Sequence, residues 1–123
     1  MAAILQVGKT AIRDALKGIS THLAVSSDQT AFNASQTEAN PNSDPILIKS
    51  PTNVDVDGNT FDSTIQIDGD SEFTNQLIYT IASLFGSSRT QAISRTVRAQ
   101  PIGVQAGDLF TVGVRAKVED NSP

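Results

Sequence analysis

The only histidine, His22, stands between Thr21 and Leu23 in THLAVSS. Nucleophilic or general-base catalysis needs a second group to activate or orient an imidazole. His22 offers none in its neighbourhood and reads as a side chain decorating a strand. Cysteine is absent, which removes disulfides, thiolate catalysis and thiolate zinc sites together. The chain contains no Gly-x-Ser-x-Gly, phosphate loop or dinucleotide fingerprint. Asp55, Asp57 and Asn59 open like a calcium loop at its first, third and fifth positions. Thr60 then replaces the required glycine, and Gln66 stands where a bidentate glutamate is needed. Asp68, Asp70 and Glu72 form a second acidic cluster at alternate spacing. Turn and surface roles account for both clusters, so the expectation is no catalytic residue, no cofactor and no metal. Weak calcium binding at Asp55/Asp57 or Asp68/Asp70 stands as the competing reading. Asn33-Ala34-Ser35 matches the glycosylation sequon, which matters only in a secreted eukaryotic chain.

Charge placement says more than its sum. Residues 26–75 hold nine acids against Lys49, whereas residues 76–118 hold Arg89, Arg95, Arg98, Arg115 and Lys117 against Asp108. Two readings are open: surfaces that neutralise each other within one fold, or a basic face that docks on an acidic face of a neighbour. Under the second, Arg89, Arg95 and Arg98 are the candidate assembly interface. The net charge of −4 argues against nucleic acid as main partner, since phosphate binding needs a basic surface. The N-terminal MAAILQVGKTAIRD has neither a basic leader region nor a long apolar run, so neither a signal peptide nor a membrane span is expected.

With 123 residues the chain is expected to form one domain, 1–123, around one core. A helix is expected over 8–19, where Ile12, Leu16 and Ile19 fall on one stripe and Gly18 is placed as a left-handed C-cap. Too short to persist alone, it must lie on something. Leu23 and Val25 alternate in the first strand, and residues 27–45 follow as a long polar loop, the expected mobile surface. ILIKS is a strand stopped by Pro51; residues 51–60 read as turn, with Asp57-Gly58 as a hairpin. The main strands fall in 61–118. FDSTIQID alternates, and NQLIYTIASLFG is apolar on both faces, as befits a central strand covered on one side by the helix. TQAISRTVRAQ is weaker, because Arg95 shares parity with Ile93 and Val97; a bulge or an edge position would relieve that conflict. After a turn centred on Gly107, Phe110, Val112, Val114, Ala116 and Val118 alternate with Thr111, Arg115 and Lys117 in a half-buried last strand. The sum is mainly β: about six strands and one short N-terminal helix packed on them.

The order GKTAIRDALKG, THLAVSSDQTAF, NASQTEAN resembles the opening of a family of small bacteriophage virion proteins and fibre N-terminal modules. Its pattern is a helix such as "AG…LRDALAG", a strand ending "IAVGTG" and a loop "TTAPAASDTAL". Downstream, IASLFG, QAISRTV, QPIGVQAGD and LFTVGVRAKV occupy the places of "EAGLF", "LLAR…F", "I.V..GD" and "L.V.W.I.V". Ser26-Ser27 stand in place of glycines and Gly113 in place of a usual aromatic. The resemblance implies an antiparallel β-sandwich, no enzymatic activity and a place in the virion after synthesis in the host cytoplasm. It implies assembly with other virion proteins and with copies of itself, often trimeric in fibre parts. Within that frame a fibre, collar, neck or tail-attachment module is the first expectation. A decoration protein reinforcing the capsid lattice is the alternative.

Overall fold

The computed structural model describes residues 5–29, 45–89 and 91–119. Most of the expected 27–45 loop therefore lies outside the described residues, as does the sequon at Asn33. The described chain runs α1 (Gln6–Ile19), β1 (His22–Ser26), β2 (Ile46–Lys49), β3 (Thr52–Asp57), β4 (Thr60–Asp68), β5 (Leu77–Leu84), β6 (Ala92–Gly103) and β7 (Leu109–Lys117). A four-stranded antiparallel sheet, β2-β1-β5-β6, stacks on a three-stranded one, β3-β4-β7.

The expected sandwich is present, with seven strands among the described residues where about six were expected. The added one is β3, whose residues read as turn because of Pro51, Asn53 and the Asp-Gly pair. TNVDVD does alternate, but along a sheet edge where no residue is buried, so its apolar signal is weak.

Alternation places the core. Leu23 and Val25 from β1 and Ile78 and Ile81 from β5 meet Ile65 and Ile67 of β4 and Val112 of β7, all buried, with Val104 beside them. The alternation of the last strand holds: Val112 is buried and Phe110 and Val114 pack against that cluster, while Thr111, Arg115 and Lys117 are exposed. The central strand is β5, between β1 and β6. Its far side is buried as well, where Ala24, Ala82 and Leu84 form a second cluster with Ile46, Ile48 and Ala92.

Two glycines are demanded by close approach. A Cβ at Gly113 would come within 2.4 Å of the Ser63 carbonyl oxygen, which explains why no aromatic can stand there. One at Gly69 would collide with the Gln105 carbonyl oxygen, where the β4–β5 connection crosses the β6–β7 turn. Phe73 in that connection holds φ of 53°, an uncommon conformation for a bulky residue, and its ring packs on the main core.

Helix α1 differs from expectation in cap and in orientation. Gly18 lies inside the helix, and Ser20 closes it, donating from its backbone N–H and its Oγ to the Leu16 carbonyl. Instead of covering β5, the helix sits on the β3–β4 hairpin. It meets that hairpin through Thr10, Arg13 and Lys17; of the Ile12–Leu16–Ile19 stripe only Leu16 turns partly inward, beside Phe61. Arg13 is its one buried residue.

Candidate protein–protein interface

Polar side chains at Thr10, Arg13 and Lys17 recur one or two turns apart and share a helix face. They face an acidic hairpin. Thr10 Oγ1 donates to the Gly58 carbonyl at 2.6 Å, Arg13 Nη1 donates to the Asp57 carbonyl, and Lys17 Nζ reaches Asp55 Oδ1 at 2.7 Å. From the hairpin side, Asn53 Nδ2 donates to the carbonyls of Lys17 and Ser20 at 3.2 and 2.9 Å. The hydrogen bond from Lys17 and the charge of Arg13 hold the Asp55 carboxyl below its ordinary range. With the polar stripe facing inward, most of the apolar one faces outward; Leu16 alone is half-buried, beside Phe61. Leu5 is 77% exposed, Ile12 40% and Ile19 49%, with Ala11 and Ala15 exposed between them. A surface helix of a monomer ordinarily turns such a stripe to the core.

A second feature lies between the sheets. Strand β5 meets β7, and β1 meets β4. Strand β6 faces β7 across an open space rather than in close packing. Ser94 and Thr96 pair with Ser83 and Ile81 and so share the inner face of that sheet, yet both are exposed. The space in front of them is a groove of about 260 Å³, walled by Leu16, Phe61, Val114 and Ala116 on the other side.

The three arginines expected at an interface do not share a surface. Arg95 is in the interior: its Nη2 lies 2.6 Å from Asp28 Oδ2, with side chains 2% and 0% exposed. Its parity conflict is relieved as expected: β6 is an edge strand, and the register shifts at Ile93, between Ala92 and Ser94, so that Ile93 and Arg95 need not share a face. Arg98 is exposed and donates from Nε to the Gln100 carbonyl, in a stretch of β6 that leaves register between Val97 and Ile102. Arg89 lies in the turn after β5.

Arg95 with Asp28 and Arg115 with Asp62 join the basic half of the sequence to the acidic half inside one fold. Bidentate donation from Arg115 lowers the Asp62 pKa and raises that of Arg115 itself. Lys49 of β2 holds Glu72 at 2.9 Å, and that hydrogen bond, with one from the Asp68 backbone, lowers the Glu72 pKa.

The remaining chemical candidates serve turns. Asp57 Oδ1 accepts from the Asn59 N–H, Asp68 Oδ1 from that of Asp70, and Asp70 Oδ1 from that of Gly107. Among the described residues no group of three or more acidic or histidine side chains is placed to hold a metal ion. His22 Nδ1 lies 3.0 Å from Thr21 Oγ1. No described helix is long and apolar enough to cross a membrane.

The exposed helix stripe was legible as a stripe but not as a surface, because helical periodicity says where apolar residues gather and not which way they turn. Its signal was the second stripe, Thr10, Arg13 and Lys17, together with acids at 55 and 57. The groove left a fainter signal: hydroxyls at Ser94 and Thr96 alternating with Arg95, so that neither face of β6 reads as core. Comparison with protein-family models, with curated proteins and with solved structures returns no match for this chain.

Proposed function

We propose that this chain is a non-enzymatic structural protein of a bacteriophage virion, a fibre, collar, neck or tail-attachment module that works by assembling with other virion proteins and with copies of itself. The observation that carries the assembly reading is α1: it docks on its own domain through charged and polar groups and leaves Leu5, Ile12 and Ile19 to solvent. Exposed apolar side chains gathered on one helix face mark a contact surface. The virion assignment rests on the sequence resemblance, from GKTAIRDALKG through LFTVGVRAKV. A basic contact through Arg89 and Arg98 belongs to the same reading; Arg95 acts inside the subunit.

Quantitative mass spectrometry of purified particles tests it. A few to tens of copies per particle are expected for a neck, collar or fibre part. Hundreds of copies would place the chain on the head lattice as a decoration protein. Absence from particles would refute the virion reading outright.

A further inference from the structure

The four strands at the rims of the two sheets are treated unequally. Strand β2 is only four residues long. Strand β3 is broken by a register shift between Asp55 and Asp57. Strand β6 leaves register between Val97 and Ile102, with Pro101 in the irregular stretch. Short length, bulges, prolines and charges are the devices by which an edge is closed to further pairing. Strand β7 has the charges, Arg115 and Lys117, but none of the other devices: nine residues pair in unbroken register with β4, without proline. Its far end is pinned by reciprocal bonds between Asn59 and Val118, Val118 N to Asn59 O at 2.8 Å and Asn59 Nδ2 to Val118 O at 2.9 Å. Among the described residues no strand pairs with the other side of β7, and that side borders the groove opposite β6.

From this we propose that the free edge of β7 accepts an extended strand of a neighbouring protein, which continues the three-stranded sheet and fills the groove in front of β6. The identification of that neighbour as a virion protein rests on the reading above; the edge chemistry does not. Main-chain bonds to β7 would supply affinity, and alternate side chains specificity. Inward residues of the added strand meet Val114, Ala116 and Phe61 on one side and the hydroxyls of Ser94 and Thr96 on the other, so they are small or apolar. Outward residues lie beside Arg115 and Lys117, whose side chains are 61% and 55% exposed, and are therefore acidic. Lys117 is held only by a solvent-exposed pair with Glu119 and can share it, while Arg115, held bidentately by Asp62, keeps N–H groups and net positive charge turned to solvent. A second copy of this chain fits the slot poorly. Its candidate strand, β3, is followed by its own hairpin and carries Asp55 on the inner face, bound to Lys17 of α1. A single strand from an arm or loop meets no such obstacle.

The test is amide hydrogen exchange of the purified chain, read by NMR over Leu109–Lys117. The probe is a short capped peptide alternating valine and aspartate, with a valine–lysine peptide as control. Exchange at alternate β7 amides should slow by about tenfold with the aspartate peptide, and not with the lysine peptide. Arg115→Glu with Lys117→Glu should exchange those preferences. Thr96→Lys, at an exposed position that plugs the groove, should abolish protection while leaving the melting temperature unchanged. Three results would overturn the proposal: no slowing with either peptide, slowing confined to another edge, or protection, in the chain alone, of the alternate β7 amides that point away from β4. The last would show that the edge is already occupied. None depends on finding the chain in a particle, so failure here and failure of the virion reading are separate results.

Discussion

Arg95 and Asp28 form the most consequential contact that charge patterning cannot reveal, and breaking it gives a sharp expectation. Their charged atoms are 2.6 Å apart, and the side chains are 2% and 0% exposed. At that separation the attraction is about 6 kcal/mol with an effective dielectric near 20, most of it offset by the cost of drying both groups. Removing one partner forfeits the attraction and keeps the cost of drying the other. Arg95→Met and Asp28→Asn should each therefore destabilise the fold by about 3–5 kcal/mol. For a domain of this size that is a fall in melting temperature of about 10–20 °C. The double variant removes both buried charges and should cost clearly less than the sum of the two. Chemical denaturation of the four proteins closes the cycle. A single-variant loss below about 1 kcal/mol, or strict additivity in the double, would refute the claim that these charges are buried against each other.

Other consequences follow for the helix, the sheet and the acid limb of stability. Ile12→Ala should change unfolding free energy by less than about 0.5 kcal/mol, because the side chain is exposed. Arg13→Ala should be the more destabilising of the two; the opposite ranking in urea melts would return the apolar stripe to the core. Gly113→Ala should cost about 1–3 kcal/mol, since the new methyl group meets the Ser63 carbonyl and Thr64. Asp55, Asp57, Asp62 and Glu72 all have lowered pKa values in the fold, so the folded state holds its protons less tightly than the unfolded chain. Their contribution is complete above the unfolded carboxylate range near pH 4 and is lost as pH falls below it. Glu72→Gln should flatten that fall between about pH 5 and pH 2 in pH-dependent denaturation; an unchanged slope would mean that Lys49 does not stabilise the carboxylate.

Much of the fold was legible where side chains alternate against a shared core. β4, β5 and β7 announced themselves because Ile65, Ile67, Ile81 and Val112 need burial and recur at the strand period. β3 escaped because an edge strand buries little, and Val54 and Val56 spend their alternation on solvent at 55% and 44% exposure. The helix was legible in place but not in orientation. The hydrophobic stripe suggests an inward face, yet three charge-assisted or polar bonds to a hairpin more than 35 residues away turn it outward. Arg95 looked like a surface cation on a flawed strand because its partner, Asp28, lies 67 residues earlier. No local pattern reports such a pair. Interface residues are the least legible of all, since an exposed apolar face differs from a core face only in what the rest of the chain does.

The account turns on that outward face of α1. A cryo-EM density map of an assembled particle, at a resolution that shows helices, tests it most directly. It should find this sandwich at the neck, tail or fibre base with Leu5, Ile12 and Ile19 covered by a neighbouring subunit. A particle in which the sandwich is present and α1 still faces solvent would contradict the account.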